Sequence, residues 1–276
     1  MDVIILGSGS PMPHPDRAGP ATLVRANGLS LLFDCGRGVL MRAVAADLAA
    51  PDLTAQFLTH LHSDHTTDFN DVVTTRWIMS AAPNPLKVFG PEGTDRFVQA
   101  TMAALEADIG YRLAHHDDLT EPPAVHVTEC GAGPVLAQDG VTVTCAATDH
   151  SPVHPTLGYR IEAGGKVVAI AGDTVPCAGL YEICAGADIY VQTVIRSDLI
   201  ARSRSQRLRD VHTYHSDVRQ AGETAARCGV GTLVLNHFVP PPPPGREEEW
   251  AAAAREVFDG EILVSHDLMR VSCSAA

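Results

Sequence analysis

Short apolar runs bounded by turn residues recur along the chain, and stretches with helical spacing fall between them. Val3 to Leu6 is a continuous apolar run, the pattern of a buried strand, and it gives way to the turn-rich Gly7-Ser8-Gly9-Ser10-Pro11. Ala21 to Ala26 and Leu29 to Phe33 predict two strands joined by Asn27-Gly28, a hairpin signal because the favoured two-residue turn needs positive φ at both positions. Val39 to Leu48 predicts a short helix, and Ala55 to Leu58 a strand. Phe69, Val72, Val73, Trp77 and Ile78 follow helical spacing within Thr67 to Ser80, and Trp77 reads as core packing, with the lining of a substrate pocket as the alternative. Leu86 to Phe89 predicts a strand. Glu92 to Asp108 predicts a helix that buries Phe97, Ala100, Met102 and Leu105. Val125 to Thr128 and Val141 to Thr148 read as strands. Leu157 to Glu162 and Lys166 to Ala171 form a second hairpin around Gly164-Gly165.

Asp188 to Val194 is a further strand, followed by a polar stretch, Arg196 to Asp210, whose Arg202, Arg204, Arg207 and Arg209 read as a solvated loop, with contact to an anionic substrate as the alternative. Ser216 to Arg227 predicts a helix capped by Ser216 or Asp217. Thr232 to Leu235 predicts a strand that ends in Asn236-His237. Pro240 to Pro244 forms a stiff polyproline connector. Glu247 to Phe258 is amphipathic, and Ile262 to Val264 and Leu268 to Val271 close the chain as strands. No linker or repeat divides the 276 residues, so a single domain over 1–276 is expected.

Charge narrows the range of functions. The chain holds 33 acidic against 20 basic residues, a net charge of −13. That balance disfavours broad binding of nucleic acid or an anionic membrane, which needs a positive field. The apolar runs fall far short of the ~20 residues that span a bilayer, and the first residues enter a strand without a basic leader, so a cytoplasmic protein is expected. The seven cysteines are scattered and form no C-x-x-C pair, which fits reduced thiols and not a disulfide frame.

The chemistry concentrates in Thr59-His60-Leu61-His62-Ser63-Asp64-His65. A single histidine is more often structural or at the surface, but four candidate ligands in six positions form a set suited to a divalent ion such as zinc. In extended backbone, residues two apart point to the same side, so His60 and His62 can converge on one ion while Asp64 and His65 serve a second. Three later strands also end in a candidate ligand: His150, Asp173 and His237. Ligands at the carboxyl ends of several strands converge at one sheet edge. His115-His116 reads as surface, His154 as surface or the mouth of the site, and His212 and His266 as structural.

His60-x-His62-x-Asp64-His65, His150, Gly172-Asp173-Thr174 and Asn236-His237-Phe238 resemble the ordered motifs of the metallo-β-lactamase superfamily. Val3 to Pro11, Phe33-Asp34-Cys35-Gly36, Phe89-Gly90-Pro91 and His215-Ser216 resemble its ribonuclease Z-like branch in particular. The resemblance implies an α/β four-layer αββα sandwich. It assigns His60, His62 and His150 to one ion and Asp64, His65 and His237 to the other, with Asp173 bridging. It implies two zinc ions, with manganese or iron as substitutes, and a homodimer. Two such ions can hold a shared hydroxide and clamp the attacking and leaving oxygens. Asp64 would orient that hydroxide and His215 would protonate the leaving group.

Two departures bear on the substrate. Only 22 residues separate His150 from Asp173, where tRNA 3′-processing enzymes carry a long tRNA-grasping arm. Gln192 stands where the branch has a glutamate that orients the proton-donating histidine. The expected activity is therefore a zinc-dependent phosphodiesterase acting on a small molecule or nucleotide. Hydrolysis of carboxylic esters, lactones or aryl sulfates is the alternative, and tRNA processing is ranked below both.

Overall fold

The computed structural model describes residues 1–273. The first half of the chain contributes strands β1 (Asp2–Gly7), β2 (Ala21–Ala26), β3 (Leu29–Phe33), β4 (Ala55–Phe57), β5 (Leu86–Gly90) and β6 (Val125–Glu129). Its helices are α1 (Val39–Ala45), α2 (Ser63–Thr66), α3 (Phe69–Met79), α4 (Thr94–Ala104) and α5 (Glu106–His115). The second half contributes β7 (Gly133–Gln138), β8 (Val141–Ala147), β9 (Leu157–Ala163), β10 (Lys166–Ile170), β11 (Ile189–Ile195), β12 (Thr232–Val239), β13 (Glu261–Val264) and β14 (Arg270–Ser272). Its helices are α6 (Ala178–Cys184), α7 (Ser197–Ile200), α8 (Gln206–Asp210), α9 (Val218–Cys228) and α10 (Glu248–Arg255).

The strands form two seven-stranded sheets, in the orders β14-β1-β2-β3-β4-β5-β6 and β13-β12-β11-β10-β9-β8-β7. The last strand crosses back to pair with the first. The central strands of each sheet, such as β1, β11 and β12, are buried on both faces, which explains their continuous apolar runs. Val3 and Ile5 face a core between the sheets with Phe33, Tyr159 and Val191. Ile4 and Leu6 face the other way, onto Val39, Phe69 and Val72 from α1 and α3. In the second sheet Val168 and Ile170 point inward, while Ala169 and Ala171 meet Leu180, Ala225 and Trp250 from α6, α9 and α10. Two helical layers thus enclose two sheets, the αββα arrangement.

Several elements differ from the sequence pattern. The helix expected over Glu92 to Asp108 breaks at Leu105 and restarts as α5, with Ala100 exposed on α4. On α3, Ile78 is exposed and Arg76 is buried in its stead. The Arg76 guanidinium donates to the carbonyls of Ala50, Pro51, Leu53 and Asn84, so hydrogen bonding to backbone compensates its burial. β7 and α6 are additional. His212 and His266 are exposed and not structural. β12 continues past Leu235, so His237 lies within the strand, at φ 49, where the register against β11 shifts. No helix among the described residues is long and apolar enough to cross a membrane.

Candidate metal centre

β3 to β6 run parallel to one another, as do β10 to β13, and the candidate ligands gather where the carboxyl ends of these strands meet. Hydrogen bonds to backbone carbonyls join the two sheets at this edge. The Leu157 amide donates to the Thr59 carbonyl at 2.9 Å, and the Tyr159 hydroxyl donates to the Leu58 carbonyl at 2.7 Å. His60 follows β4, and His62 is extended at φ −62, ψ 146 before the single turn of α2 that carries Asp64 and His65. Asp173 follows Gly172, whose φ of +64 suits glycine, and a Cβ there would stand 2.8 Å from the Thr59 Cβ. The bend that delivers Asp173 to the centre therefore depends on that glycine.

Two groups of ligand atoms result, each within 4.8 Å of one another: His60, His62, His150 and Asp173, and Asp64, His65 and His237. In the first, His62 Nδ1 lies 3.0 Å from His60 Nε2 and 3.4 Å from His150 Nε2. A tetrahedral zinc site with bonds of 2.0–2.1 Å has edges of about 3.3 Å, close to this spacing. In the second, Asp64 Oδ2 is 3.1 Å from His237 Nε2 and 3.6 Å from His65 Nε2. Asp173 Oδ2 stands between the groups. It is 3.8 Å from both His60 and His150 Nε2, 3.4 Å from His65 Nε2 and 3.7 Å from His237 Nε2.

Three of the far ring nitrogens are also held. His60 Nδ1 meets the Thr59 hydroxyl at 3.0 Å, His65 Nδ1 meets Asp34 Oδ2 at 2.8 Å, and His150 Nδ1 meets the Tyr214 carbonyl at 2.8 Å. Such partners fix the tautomer and aim Nε2 inward, as around bound metals. Asp34 also accepts from the Thr59 amide at 2.8 Å and from the Thr59 hydroxyl. Sequence reasoning noted Asp34 only as part of a motif, because an isolated aspartate after a strand carries no sign of its partner 31 residues on. His215 donates from Nδ1 to the Val211 carbonyl at 3.1 Å, which leaves Nε2 3.2 Å from Asp173 Oδ2. Gln192 is fully buried, accepts from the Tyr190 hydroxyl and donates to the Thr193 carbonyl. It makes no hydrogen bond with His215.

Burial opposes charge on His60, His62, Asp64, His65, His150, Asp173 and His237 and is the largest influence on each. At His60 and His62 it prevails and holds both below the ordinary histidine range. It pushes His150 down to about 4. At His65 the carboxylates of Asp173, Asp34 and Asp64 outweigh burial and raise the ring well above its usual range. At His237 burial is likewise outweighed, by Asp173 and Asp64. Asp173 and Asp64 would rise by burial alone, but the surrounding histidines hold both below the usual carboxylate range.

Four buried side-chain atoms among the described residues have no hydrogen-bond partner, and three are at this centre: His65 Nε2, His237 Nδ1 and Asp173 Oδ1. Buried polar atoms are rarely orphaned, and a carboxylate oxygen and a ring nitrogen facing one centre are electron-pair donors. The residues present thus fit divalent metal ions. His154 is exposed and joins no ligand group. His115 and His116 are exposed as expected.

A family model described as a β-lactamase superfamily domain matches residues 30–238. A protein named Ribonuclease Z from Mycolicibacterium paratuberculosis is 54% identical over 277 residues, covering 100% of this chain and 99% of the relative. One of the same name from Mycobacterium tuberculosis is 52% identical over 273 residues, covering 98% and 97%. Two solved structures share the fold. The metallo-β-lactamase fold protein YhfI from Bacillus subtilis has a TM-score of 0.77 at 22% identity, covering 98% of each chain. The short form of human tRNase Z has a TM-score of 0.74 at 24% identity, covering 100% of each.

Proposed function

The chain belongs to the metallo-β-lactamase superfamily, in its ribonuclease Z-like branch, and from that footing we propose that it is a zinc-dependent phosphodiesterase that cuts RNA at a tRNA 3′ end. One observation carries the chemistry: Asp173 Oδ2 stands between two ligand groups and 3.2 Å from His215 Nε2. When bound, a pair of divalent ions supplies charge stabilisation at the phosphoryl oxygens and activates water. His60, His62 and His150 would hold one ion, and Asp64, His65 and His237 the other, with Asp173 within reach of both. Asp64 would also orient the attacking water. His215, its Nδ1 proton committed to the Val211 carbonyl, delivers a proton from Nε2 to the leaving alkoxide.

The short span between His150 and Asp173 argued against tRNA, and it does form only a loop and the β9–β10 hairpin. Relatives bearing the name Ribonuclease Z are matched end to end by an alignment of the same length, which leaves no room for a long arm in them. Its absence therefore no longer separates this chain from a ribonuclease. The net charge of −13 still favours a second reading, a phosphodiesterase for a small molecule or nucleotide.

The test is an activity panel on the zinc-loaded protein: precursor tRNA, bis-p-nitrophenyl phosphate, p-nitrophenyl carboxylic esters, lactones and aryl sulfates. Cleavage of precursor tRNA at its 3′ junction supports the first reading. Turnover of the small diester alone supports the second. Activity confined to carboxylic esters, lactones or aryl sulfates overturns both.

A further inference from the structure

Between Arg196 and Tyr214 the chain carries five arginines against two aspartates, in a protein whose net charge is −13. Sequence pattern alone suggested a solvated loop. The structure folds the stretch into α7, α8 and a 3-10 turn over Val211–Thr213. Ile200 is buried, and Leu208 and Val211 pack with it onto Ile195 and Val239. These are the ends of β11 and β12, and β12 carries His237. Backbone hydrogen bonds tie the base down: the Arg196 amide donates to the Val239 carbonyl at 3.0 Å and the Ile195 amide to the Ser216 carbonyl at 3.1 Å.

The arginines divide into two kinds. Arg196 pairs with Asp198 at 2.7 Å and lies over the Trp250 ring. Arg209 is half-buried and braces the segment through the Ser203 carbonyl and the Gln206 side chain. Arg202, Arg204 and Arg207 are exposed, and among the described residues none has an ion pair or side-chain hydrogen bond. Asp210, the other acid in the stretch, accepts from the neutral Gln206 amide. Three free guanidinium groups therefore project from a packed base.

That base also belongs to the metal centre. The Val211 carbonyl holds His215 and the Tyr214 carbonyl holds His150. Arg207 lies four positions before Val211 in the same packed segment, so the free arginines sit on the stretch of chain that borders the metal centre. Guanidinium is suited to phosphate oxygens, which it engages in bidentate fashion. We infer that Arg202, Arg204 and Arg207 form a docking surface for the RNA phosphates that flank the bond being cut. The inference rests on the phosphodiesterase reading and supplies it with the cationic surface that the overall charge lacks.

The experiment compares wild type with Arg202→Gln/Arg204→Gln/Arg207→Gln, both zinc-loaded, for binding a fluorescent phosphorothioate RNA with a tRNA 3′ end. Fluorescence anisotropy is read from 50 to 300 mM salt. Each phosphate contact on a single strand contributes about −0.7 to the slope of log affinity against log salt. The triple variant should bind about ten-fold or more weakly at 100 mM salt, with a slope shallower by about 2. The triple lysine variant should retain most of the slope, since it keeps the charge. Equal zinc content and Tm in all three proteins exclude misfolding as the cause. Unchanged RNA affinity and slope in the glutamine variant overturns the inference, as does a wild type that fails to bind RNA. Loss of binding to phosphatidylglycerol vesicles with RNA binding intact also overturns it, in favour of a membrane. A wild type that binds RNA through these arginines but leaves precursor tRNA uncut keeps the surface and rejects the functional reading.

Discussion

Asp34 Oδ2 accepts the Nδ1 proton of His65 at 2.8 Å, although the two residues are 31 apart in sequence and lie on different elements. The same carboxylate takes the Thr59 amide and hydroxyl, so one buried side chain sets both the entry to the ligand loop and the aim of a ligand. Asp34→Ala should lower affinity for the ion held by Asp64, His65 and His237 by about 10–100-fold, the usual effect of losing such a partner. It also leaves the Thr59 amide unsatisfied, at about 1–3 kcal/mol. Zinc titration with a chromophoric chelator and a thermal melt read the two effects separately. Wild-type affinity at both sites would reject this role for Asp34.

His215 and the metal ligands should separate under mutation. His215→Ala should lower turnover by about a hundred-fold or more and should hurt substrates with poor leaving groups most. Its metal content should stay near two ions per chain, because no ligand group contains His215. His62→Ala should lose both metal and activity. Elemental analysis beside kcat on alkyl and nitrophenyl phosphodiesters decides the matter. A His215→Ala protein that loses metal would make His215 a ligand and not a proton donor.

The two ion sites should respond differently to acid. In the metal-free protein His60, His62 and His150 are held below the ordinary range, so at neutral pH they are uncharged and an ion need not compete with an imidazolium proton there. His65 and His237 are raised and hold their protons to higher pH. An ion must expel those protons, and lowering the pH strengthens that competition. Between pH 7.5 and pH 6 the affinity of the His65–His237 site should fall while the other changes little. Calorimetric titration in buffers of different ionisation enthalpy would show the proton release, and equal pH dependence at both sites would contradict this assignment.

Gln192→Glu tests whether the branch's charged residue can be restored. Gln192 bonds to Tyr190 and Thr193 and not to His215, so a glutamate there gains no contact with the proton donor. Full burial raises a carboxyl pKa. A group whose folded pKa is raised above its unfolded value costs stability once the pH exceeds the unfolded value, about 4.3 for glutamate. The variant should melt at a lower temperature than wild type, with the gap wider at pH 8 than at pH 5, and without a gain in kcat. An increase in kcat would mean that position 192 reaches His215 after all.

The sequence exposes the centre unevenly, and the physical reasons are local. His60 to His65 crowd into one short stretch, so their joint purpose is legible. His150, Asp173 and His237 are legible only through the repeated placement of a ligand after a strand and the resemblance that follows from it. Even there, β12 runs on through His237, because a single positive-φ residue lets the strand continue past the ligand. Asp34 was not legible as a partner of His65, since nothing near it marks the contact. Arg76 shows the same limit: a charged residue on the inner face of α3 reads as an error in periodicity until the carbonyls around its guanidinium are known. The packed base beneath Arg202 to Arg209 has no sequence signature, because Ile200, Leu208 and Val211 are too sparse to form a periodic signal.

The ligand groups cross the seam of the sandwich. His60, His62, Asp64 and His65 come from the sheet that contains β4, while His150, Asp173 and His237 come from the sheet that contains β8, β10 and β12. An ion bound in either group would therefore fasten one half of the molecule to the other, and its departure would loosen that seam. Chelation should speed deuterium uptake at the Leu157 amide, which spans that seam to Thr59, before it does so deep in either sheet. In a metal-starved cell the same loosening would offer proteases an opening at this edge, so that the lifetime of the protein, and not only its turnover, would follow the metal supply.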